Sequence, residues 1–384
     1  MTRDLDIARL YFFVWIGGLG FSFPFANLFF RQQGLSGTEI GLLLTFGSVA
    51  GLIASPLWGR WSDSGAPLTR LLQLAFLVTA AGVFAQSQQT LFIWFALTNV
   101  WRALAGAGIA PLSDALALRI SEARRAGYGS IRVWGSAGWA VSVLLSGWVI
   151  ERTALITSFY GMAAGYVLAA LLLFLIPKTL HALPKERVQE KSGLAHAARE
   201  LVKNRALLGL AFALILRGML SDGHLQFGNI YLEQLGASTA VIGVASMLAA
   251  AVELPGFFVA DRVVKKIGAE RTLLISFLIT GLKFILVLAF PAVWSVLVTR
   301  AVEGIAFSLF TIGLLKYVLE RAPQSQTATM LAFFTVTLTA LIQILGAPIG
   351  GIVFDVVGAY WLYALTLVGN VAAGAILFGF RARH

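Results

Sequence analysis

The sequence predicts an all-α membrane protein in which twelve transmembrane helices form two pseudo-symmetric six-helix bundles. Of its 384 residues, 58% are hydrophobic and only 12% are charged, whereas about a quarter of the residues in a typical soluble domain are charged. Twelve apolar runs follow one another along the chain, and short motifs of the first half recur in the second. The composition indicates a membrane protein, and the number of apolar runs indicates twelve helices. The recurring motifs indicate that the helices form two related bundles.

The apolar runs justify the helices in order. Each run is close to or above the roughly 20 residues that an α-helix needs to cross the hydrocarbon core of a bilayer. The first run carries Pro24 and Asn27 and lacks a small-residue cleavage site, so it is read as a helix and not as a cleavable signal sequence. The predicted spans 1 to 12 cover residues 8–30, 38–59, 69–88, 91–118, 131–150, 154–176, 205–232, 239–260, 272–290, 292–319, 328–354 and 358–380.

The positions of the basic residues predict the orientation of the chain. With the N-terminus in the cytoplasm, most of the 29 Lys and Arg residues fall in cytoplasmic loops and termini, and the outer loops hold only Arg31 and Arg152. This bias is typical of the positive-inside rule. We therefore expect a multi-pass protein of the bacterial inner membrane with both termini in the cytoplasm.

Motifs shared by the two halves indicate a duplication. The repeated positions are Arg102 and Arg300, Asp63 and Asp261, Gly34 and Gly236, and Gly41 and Gly243. A polar stretch with two prolines separates the halves, as an inter-bundle linker should. We predict an N-terminal six-helix bundle over residues 1–176, a cytoplasmic linker with an amphipathic segment over 177–204, and a C-terminal six-helix bundle over 205–384.

Residue content argues against several function classes. The chain has no cysteine and four scattered histidines, so we expect no disulfide framework, metal site or redox cofactor. No HExxH, GxSxG or P-loop pattern is present, which argues against an enzyme. The net charge of +11 is spread between apolar spans, so no nucleic-acid partner is expected. A channel would not need duplicated halves with separated buried charges.

Ionisable residues within the spans mark the candidate site, because a charge at membrane depth is costly and usually faces a pathway or a partner. Asp114 and Arg132 lie on spans 4 and 5, toward the loop that joins them, and snorkelling to the interface is the alternative for both. Structural ties are predicted for Arg102, Arg217 and Arg300. The remaining candidates are Asp222, His224, Glu253, Lys283 and Glu303.

Glu253 is our first choice for a proton carrier. It lies in an otherwise apolar run, with Pro255 just after it to open the backbone, and desolvation there disfavours an ionised carboxylate. His224 is the second candidate because histidine titrates near neutral pH, although a lone intramembrane histidine is as often a hydrogen-bond donor between helices. Asp222 and Glu303 are the further candidates for carrying the proton.

The excess of basic over acidic residues within the spans favours an anionic substrate. Lys283, well inside span 9, is a candidate for binding this substrate, and it is also expected to lie near Glu253 at the proton site. Trp139 and Phe227 are the candidate stacking partners for a planar ligand, whereas most of the other aromatic residues belong to lipid-facing or interfacial belts.

The loop between spans 2 and 3, Gly59-Arg-Trp-Ser-Asp63-Ser-Gly65 followed by Arg70, resembles the inner-loop signature of the major facilitator superfamily. Asp261-Arg262 is a looser second copy, and the resemblance covers essentially the whole chain. These charges lie at the cytoplasmic ends of their helices, where closing contacts hold one side shut, so Asp63, Arg70, Asp261 and Arg262 are expected to act in gating. A role as a topological anchor is the alternative.

Two further stretches, Pro111-Leu-Ser-Asp114-Ala and Tyr128-Gly-Ser-Ile-Arg132-Val-Trp-Gly-Ser-Ala-Gly-Trp139, resemble the branch that holds the phenylpropionate permeases. This branch is related to oligosaccharide and nucleoside proton symporters. In its sugar permeases an acid on helix 4 and an arginine on helix 5 contact the sugar, and a tryptophan stacks on it. The resemblance therefore implies that Asp114, Arg132 and Trp139 bind substrate and that transport is coupled to protons. Ser130 replaces the other basic residue of that sugar motif, which argues against a sugar.

We predict a secondary active transporter that moves a small organic solute, an organic and aromatic anion, by proton symport with alternating access. A proton-coupled drug or metabolite efflux antiporter and a sugar or nucleoside proton symporter are the alternatives. Antiporters of the superfamily typically carry a Gly-Pro-x-x-Gly-Gly motif on helix 5, whereas helix 5 here has no proline and the similar Gly346–Gly351 motif lies on span 11. The expected partners are the solute, protons and the lipid bilayer, and the protein is expected to be a monomer.

Overall fold

The computed structural model describes residues 3–177, 201 and 203–380, and the regular elements in these residues are all helical. Twelve of the helical stretches are long and apolar enough to cross a membrane. Spans 1 to 12 run over Arg3–Gln32, Gly37–Asp63, Leu68–Ser87, Phe92–Ala123, Gly129–Arg152, Thr157–Leu175, Arg205–Gln234, Thr239–Ile267, Ala269–Ala289, Val293–Arg321, Thr329–Val357 and Ala359–Gly379. The predicted fold class is confirmed. Residues 178–200 of the predicted linker, with most of its amphipathic segment, lie outside the described residues.

Several helices extend beyond the apolar runs that predict them. Residues 261–271 were expected to form a loop, but span 8 continues to Ile267 and span 9 begins at Ala269. Gly268 alone separates the two helices, with a φ of +86° that favours glycine. Gly358, with a φ of +90°, separates spans 11 and 12 in the same way. Hydropathy marks only the residues that suit the hydrocarbon core of the bilayer. A helix can continue past them into polar surroundings, because its backbone hydrogen bonds do not depend on the polarity of the side chains.

Span 4 is built from two helices, Phe92–Gly106 and Ile109–Ala123. Pro111 lacks an N–H and cannot donate to the preceding turn, so the helix breaks just before it. The indole Nε1 of Trp58, on span 2, donates a 2.8 Å hydrogen bond to the Leu104 carbonyl oxygen near this break. The break sets the direction of the second helix of span 4, and this helix carries Asp114.

Three other spans also depart from a single α-helix. Their elements are Arg3–Ser22 and Ala26–Gln32 in span 1, Thr157–Leu172 with a 3₁₀ turn over Leu173–Leu175 in span 6, and Thr327–Ala332, a π-helical stretch over Phe333–Thr337 and Leu338–Val357 around span 11. Span 8 is different. Its helix passes through Pro255 without interruption, although this proline has no N–H to donate to the Ala251 carbonyl oxygen.

The chain divides into two compact units. The first contains the described residues of Met1–Leu35, Leu43–Arg187 and Ser238–Met247. The second contains those of Ser36–Leu42, Val188–Ala237 and Leu248–His384. The start of span 2 therefore groups with the second unit, and the start of span 8 groups with the first.

Both units use the same helix pairing. In the first unit span 1 packs on spans 5 and 6, and span 3 packs on spans 4 and 6. In the second unit span 7 packs on spans 11 and 12, and span 9 packs on spans 10 and 12. The repeated glycines also share a conformation, with a φ of +87° at Gly34 and +88° at Gly236. The duplication that the motifs indicate is thus present in the packing of each unit.

Each unit has its own buried core. In the first, the ring of Tyr11 packs edge-on against Phe76 at 5.9 Å, and a Cβ on Gly138 would lie 2.1 Å from the Phe13 carbonyl oxygen, so spans 1 and 5 touch along their backbones. The second unit buries apolar side chains from spans 7, 9, 10, 11 and 12 around Phe277. These cores hold the helices that carry the candidate charges.

Candidate functional site

In the first unit, Tyr128 links the two charges that the sequence singles out. Its hydroxyl donates a 2.8 Å hydrogen bond to Oδ1 of Asp114, and the Arg132 side chain also interacts with this hydroxyl. Burial, together with the bond to Asp114, raises the pKa of Tyr128, so the phenol stays protonated and remains a donor. The structure therefore brings Asp114 and Arg132 to one cluster, which we call the Tyr128 cluster.

Sequence reasoning missed Tyr128 as a member of this cluster. A usable signal was present, because Tyr128 precedes Arg132 by one helical turn and side chains at that spacing are neighbours. Asp114 is half-buried and Arg132 is exposed. The guanidinium can therefore receive a ligand without leaving a buried charge behind.

Trp139 lies two turns beyond Arg132 on span 5 and is held by span 1. Its ring is tilted against Phe23 at 5.6 Å between centroids, and a Cβ on Gly20 would lie 3.3 Å from the indole. Arg132 and Trp139 are seven residues apart, which is nearly two turns of helix, so their side chains share a face. Trp139 is half-buried, which suits a stacking surface beside the Tyr128 cluster.

Arg102 is tied to its own unit by amides. Its guanidinium donates to Oδ1 of Asn99 at 2.8 Å, and the Asn99 side-chain nitrogen donates to the Leu43 carbonyl oxygen at 2.5 Å. These bonds join span 4 to span 2 within the first unit. Bonds of this kind fit the predicted role of Arg102 as a structural residue that holds two helices together.

In the second unit, Lys283 and Glu303 form an ion pair between spans 9 and 10. The Lys283 side chain is only 3% exposed, against 21% for Glu303, and its Nζ also lies 4.4 Å from the ring centroid of Phe284. A buried ammonium group depends on its counter-ion, because removing one partner of such a pair leaves an uncompensated charge. Arg300 is only three residues from Glu303 on span 10, but the structure pairs Glu303 with Lys283.

His224 lies beside this pair. The imidazole is buried among rings, 4.6 Å from Phe284 and 5.4 Å from Tyr363 between centroids. Its charged neighbours are Lys283, Arg300 and Arg217. The structure therefore brings together His224, Lys283 and Glu303, which we call the Lys283 cluster.

The two arginines near this cluster are bound by amides. Arg217 Nε donates to Oδ1 of Asn370 at 2.9 Å, and Arg300 donates to Oδ1 of Asn229 at 3.1 Å. Within the part of the chain that the structure describes, neither arginine forms an ion pair with a carboxylate. Positive charge therefore exceeds paired negative charge around the Lys283 cluster.

Asp222 and Glu253 lie apart from the ion pair. Asp222 is buried. A Cβ added on Gly346 would lie 3.0 Å from the Asp222 Cβ. The Asp222 carboxylate forms a hydrogen bond with the Gln226 side chain. Glu253 is half-buried, and its carboxylate makes no hydrogen bond or ion pair with any described residue, Lys283 and His224 included. The structure does not join either acid to the Lys283 cluster through such a bond.

Phe227 is fully buried and stacks on Phe354, with 4.7 Å between the ring centroids and an interplanar angle of 19°. Its face is occupied by another side chain of the second unit. In this structure it therefore offers no free surface to a ligand.

Of the charges assigned to gating, Asp63 and Arg70 lie at helix ends, whereas Asp261 and Arg262 lie within span 8, because its helix continues to Ile267 beyond the apolar run. Asp63 is the last residue of span 2 and is exposed, as is Arg70. Asp261 pairs with Lys265 at 2.5 Å, one turn further along span 8, and Arg262 is exposed. Among the described residues, Asp63 and Arg70 make no ion pair, so they are free to engage a partner in another state.

Comparison with known proteins identifies the family. The sequence model of the MFS_1 like family matches residues 5–365. The chain belongs to this family, within the major facilitator superfamily. The family match spans both helix units and agrees with the duplicated helix pairing. The resemblance read from the sequence motifs is confirmed.

Curated relatives match this chain over more than nine-tenths of its length. A maltose permease of Geobacillus stearothermophilus is 29% identical over 94% of this chain and 91% of its own length. A protein of Escherichia coli K12 called "Probable 3-phenylpropionic acid transporter" is 25% identical over 92% of this chain and 93% of its own length. The family member described here is therefore a transporter of small solutes and an integral multi-pass membrane protein, not an enzyme.

The fold of this family member is also that of a solved transporter. The crystal structure of the nucleoside transporter NupG superposes with a TM-score of 0.82, covering 98% of each chain at 18% identity. At this identity the likeness establishes the fold alone. Among the described residues, no group of three or more His, Cys, Asp or Glu side chains is placed to hold a metal ion.

Proposed function

We propose that the protein takes up a small organic anion by proton symport with alternating access. The observation that carries this proposal is the buried ion pair of Lys283 with Glu303 beside His224. We further propose that it works as a monomer in the bacterial inner membrane with both termini in the cytoplasm, since the basic residues are concentrated in the loops on that side.

Charge balance at the Lys283 cluster supports coupling between a proton and an anion. Protonation of Glu303 removes the counter-ion of Lys283 and leaves a buried ammonium group unpaired, which is unfavourable. An anion that binds Lys283 restores the pair. A proton on Glu303 and an anion at Lys283 therefore favour each other, and together they leave the net charge of the cluster unchanged.

This argument changes the preferred proton carrier. Glu253 is the choice from the sequence, because its neighbours are apolar. Glu303 is favoured here because its protonation state controls a buried cation, whereas Glu253 forms no ion pair with a described residue. His224, as a neighbour of Lys283, is proposed to respond to the same proton.

Recognition of the substrate is assigned to the Tyr128 cluster. The exposed guanidinium of Arg132 attracts an anionic substrate, and the half-buried Trp139 ring offers a face to a planar group. This combination supports an aromatic carboxylate, and the relative called a probable 3-phenylpropionic acid transporter points to the same class. Phe227 is left out of the proposal because Phe354 covers its face.

A sugar is the second candidate, favoured by the identity to the maltose permease. Asp114 would then receive sugar hydroxyl groups in place of the Tyr128 hydroxyl. Nucleoside symport and efflux by proton antiport remain alternatives with the same fold.

The test uses the purified full chain in proteoliposomes loaded with a pH dye. Radiolabelled 3-phenylpropionate, maltose and uridine are offered outside while the external pH is lowered. Anion symport predicts accumulation of 3-phenylpropionate above its external concentration, blocked by a protonophore, with acidification of the lumen as it enters. Control liposomes without protein give the passive flux of the neutral acid. Accumulation of maltose in its place selects the sugar, accumulation of uridine selects nucleoside symport, and movement of solute against an opposed proton flux selects antiport.

A further inference from the structure

The hydroxyl of Tyr363, on span 12 of the second unit, is buried without a hydrogen-bond partner. Tyr363 is 1% exposed, and its Oη forms no hydrogen bond with any residue that the structure describes. Three other rings enclose it, with centroid distances of 5.4 Å to His224, 5.2 Å to Phe284 and 5.1 Å to Tyr231. A buried hydroxyl normally has a partner, because removing it from water is otherwise unfavourable. The position of Tyr363 therefore calls for a group that accepts a hydrogen bond.

Arg300, on span 10, faces the same point of span 7 as this hydroxyl. A Cβ on Gly228 would lie 2.9 Å from Nη2 of Arg300 and 3.5 Å from Oη of Tyr363. Arg300 and Tyr363 are also electrostatic neighbours. The guanidinium and the hydroxyl therefore converge on Gly228. We call Arg300 and Tyr363, with the space beside Gly228, the Arg300 site.

The side chains at the Arg300 site offer mainly hydrogen-bond donors. A guanidinium carries five N–H groups and no acceptor, and the hydrogen bond of Arg300 goes to Oδ1 of Asn229 at 3.1 Å. Tyr363 adds an O–H group. Among the described residues, the Glu303 carboxylate, one turn further along span 10, pairs with Lys283 and not with Arg300. The site is therefore suited to a ligand that accepts hydrogen bonds and donates none.

The charge around the Arg300 site leads to the same conclusion. Arg300, Lys283 and Arg217 are all electrostatic neighbours of the buried His224. Within the described part of the chain, Lys283 has a carboxylate partner and the two arginines have none. A positive charge within a membrane span is unfavourable unless a negative group lies nearby. The excess of donors and the excess of positive charge thus both favour a bound anion.

We propose that the Arg300 site binds a chloride ion between the Arg300 guanidinium and the Tyr363 hydroxyl. A halide accepts hydrogen bonds and donates none, and its single charge balances that of Arg300. A methyl group on Gly228 would already touch both donors, so the space suits a single atom and not an organic anion. The site is separate from the substrate contacts assigned to the Tyr128 cluster. It goes beyond the proposed function, because a chloride counter-ion serves the protein whichever solute is carried.

Chloride binding is measured on the purified full chain in detergent. The melting temperature is followed while sodium chloride replaces sodium gluconate at constant ionic strength, and we expect a saturable rise. Tyr363→Phe removes one donor and should weaken the apparent affinity for chloride roughly fivefold, whereas Arg300→Gln should abolish the rise. Tyr360→Phe is the matched control on the same span. Its hydroxyl donates to the Leu288 carbonyl oxygen at 2.8 Å, so its loss should leave the affinity for chloride unchanged.

A double variant separates this site from the neighbouring Lys283 cluster. Lys283→Met together with Glu303→Ala removes that ion pair and should keep the chloride response. Loss of the response in the double variant places the anion at Lys283 and overturns the proposal. The absence of a saturable rise in the unaltered protein overturns it as well. If Arg300→Gln does not fold, Tyr363→Phe decides, and an unchanged affinity for chloride in that variant rules out the site.

Discussion

Tyr128 donates a 2.8 Å hydrogen bond to Asp114, a residue of the preceding span. The acid is thereby held in place by a neutral donor that a substrate hydroxyl or carboxylic acid can replace. An exchangeable partner of this kind keeps Asp114 satisfied in the empty protein. The same hydroxyl also interacts with Arg132, so one side chain positions both charges.

Tyr128→Phe removes this hydroxyl and keeps the ring. We expect substrate affinity to fall roughly fivefold, because the Asp114 carboxylate loses one hydrogen bond and Arg132 loses its positioning contact. Equilibrium binding measured by thermal shift with a substrate series provides the test. Tyr160→Phe, at an exposed tyrosine of span 6, is the matched control and should bind normally. Unchanged affinity in Tyr128→Phe would remove Tyr128 from the site.

Glu303→Gln fixes the proposed proton carrier in its neutral form. The variant should still exchange labelled for unlabelled substrate, while the accumulation driven by a pH gradient should fall to a ratio of about one. Glu320→Gln, at an exposed glutamate of the same span, should accumulate normally. Glu253→Gln made in parallel is expected to accumulate substrate too. Loss of accumulation in Glu253→Gln alone would return the proton to Glu253.

The Lys283–Glu303 pair also makes a prediction about stability. Glu303→Ala leaves a buried ammonium group without its partner and should lower the free energy of unfolding by about 3 kcal/mol. Lys283→Met together with Glu303→Ala removes both charges and should recover most of this loss. Thermal unfolding of the purified variants in detergent measures both effects. A double variant no more stable than Glu303→Ala would argue against a direct pair.

Asp63→Asn tests gating at the loop between spans 2 and 3. We expect transport to become roughly tenfold slower with ligand affinity nearly unchanged, because the exposed carboxylate is proposed to act in another conformation. Glu151→Gln, at an exposed residue near the end of span 5, serves as the control. Uptake rates and equilibrium binding are measured on the same preparations. A large loss of affinity at normal turnover contradicts the role.

Gly138→Ala tests the backbone contact of spans 1 and 5. The new methyl group would meet the Phe13 carbonyl oxygen at 2.1 Å, and the forced shift should destabilise the protein by about 2 kcal/mol. Gly51→Ala places the same group in open space within the helix of span 2 and should leave stability unchanged or slightly raised. Thermal midpoints of the two variants provide the comparison, and equal midpoints would contradict the packing.

Hydropathy predicted the twelve spans because burial in hydrocarbon selects residues one by one. It misplaced the ends, as at Ile267, because charged residues continue a helix outside the hydrocarbon. The pairing of Lys283 with Glu303 was not predictable in the same way. A count of charges gives the excess of one sign, but the partner depends on which faces of spans 9 and 10 meet. Phe227 illustrates the same limit, since an aromatic residue within a span gives no sign of whether another ring covers it.

The single-residue connections at Gly268 and Gly358 have a consequence for biosynthesis. A helix pair joined by one residue cannot be separated widely, so spans 8 and 9 enter the bilayer as one hairpin, and spans 11 and 12 as another. We expect the translocon to receive each pair as one unit.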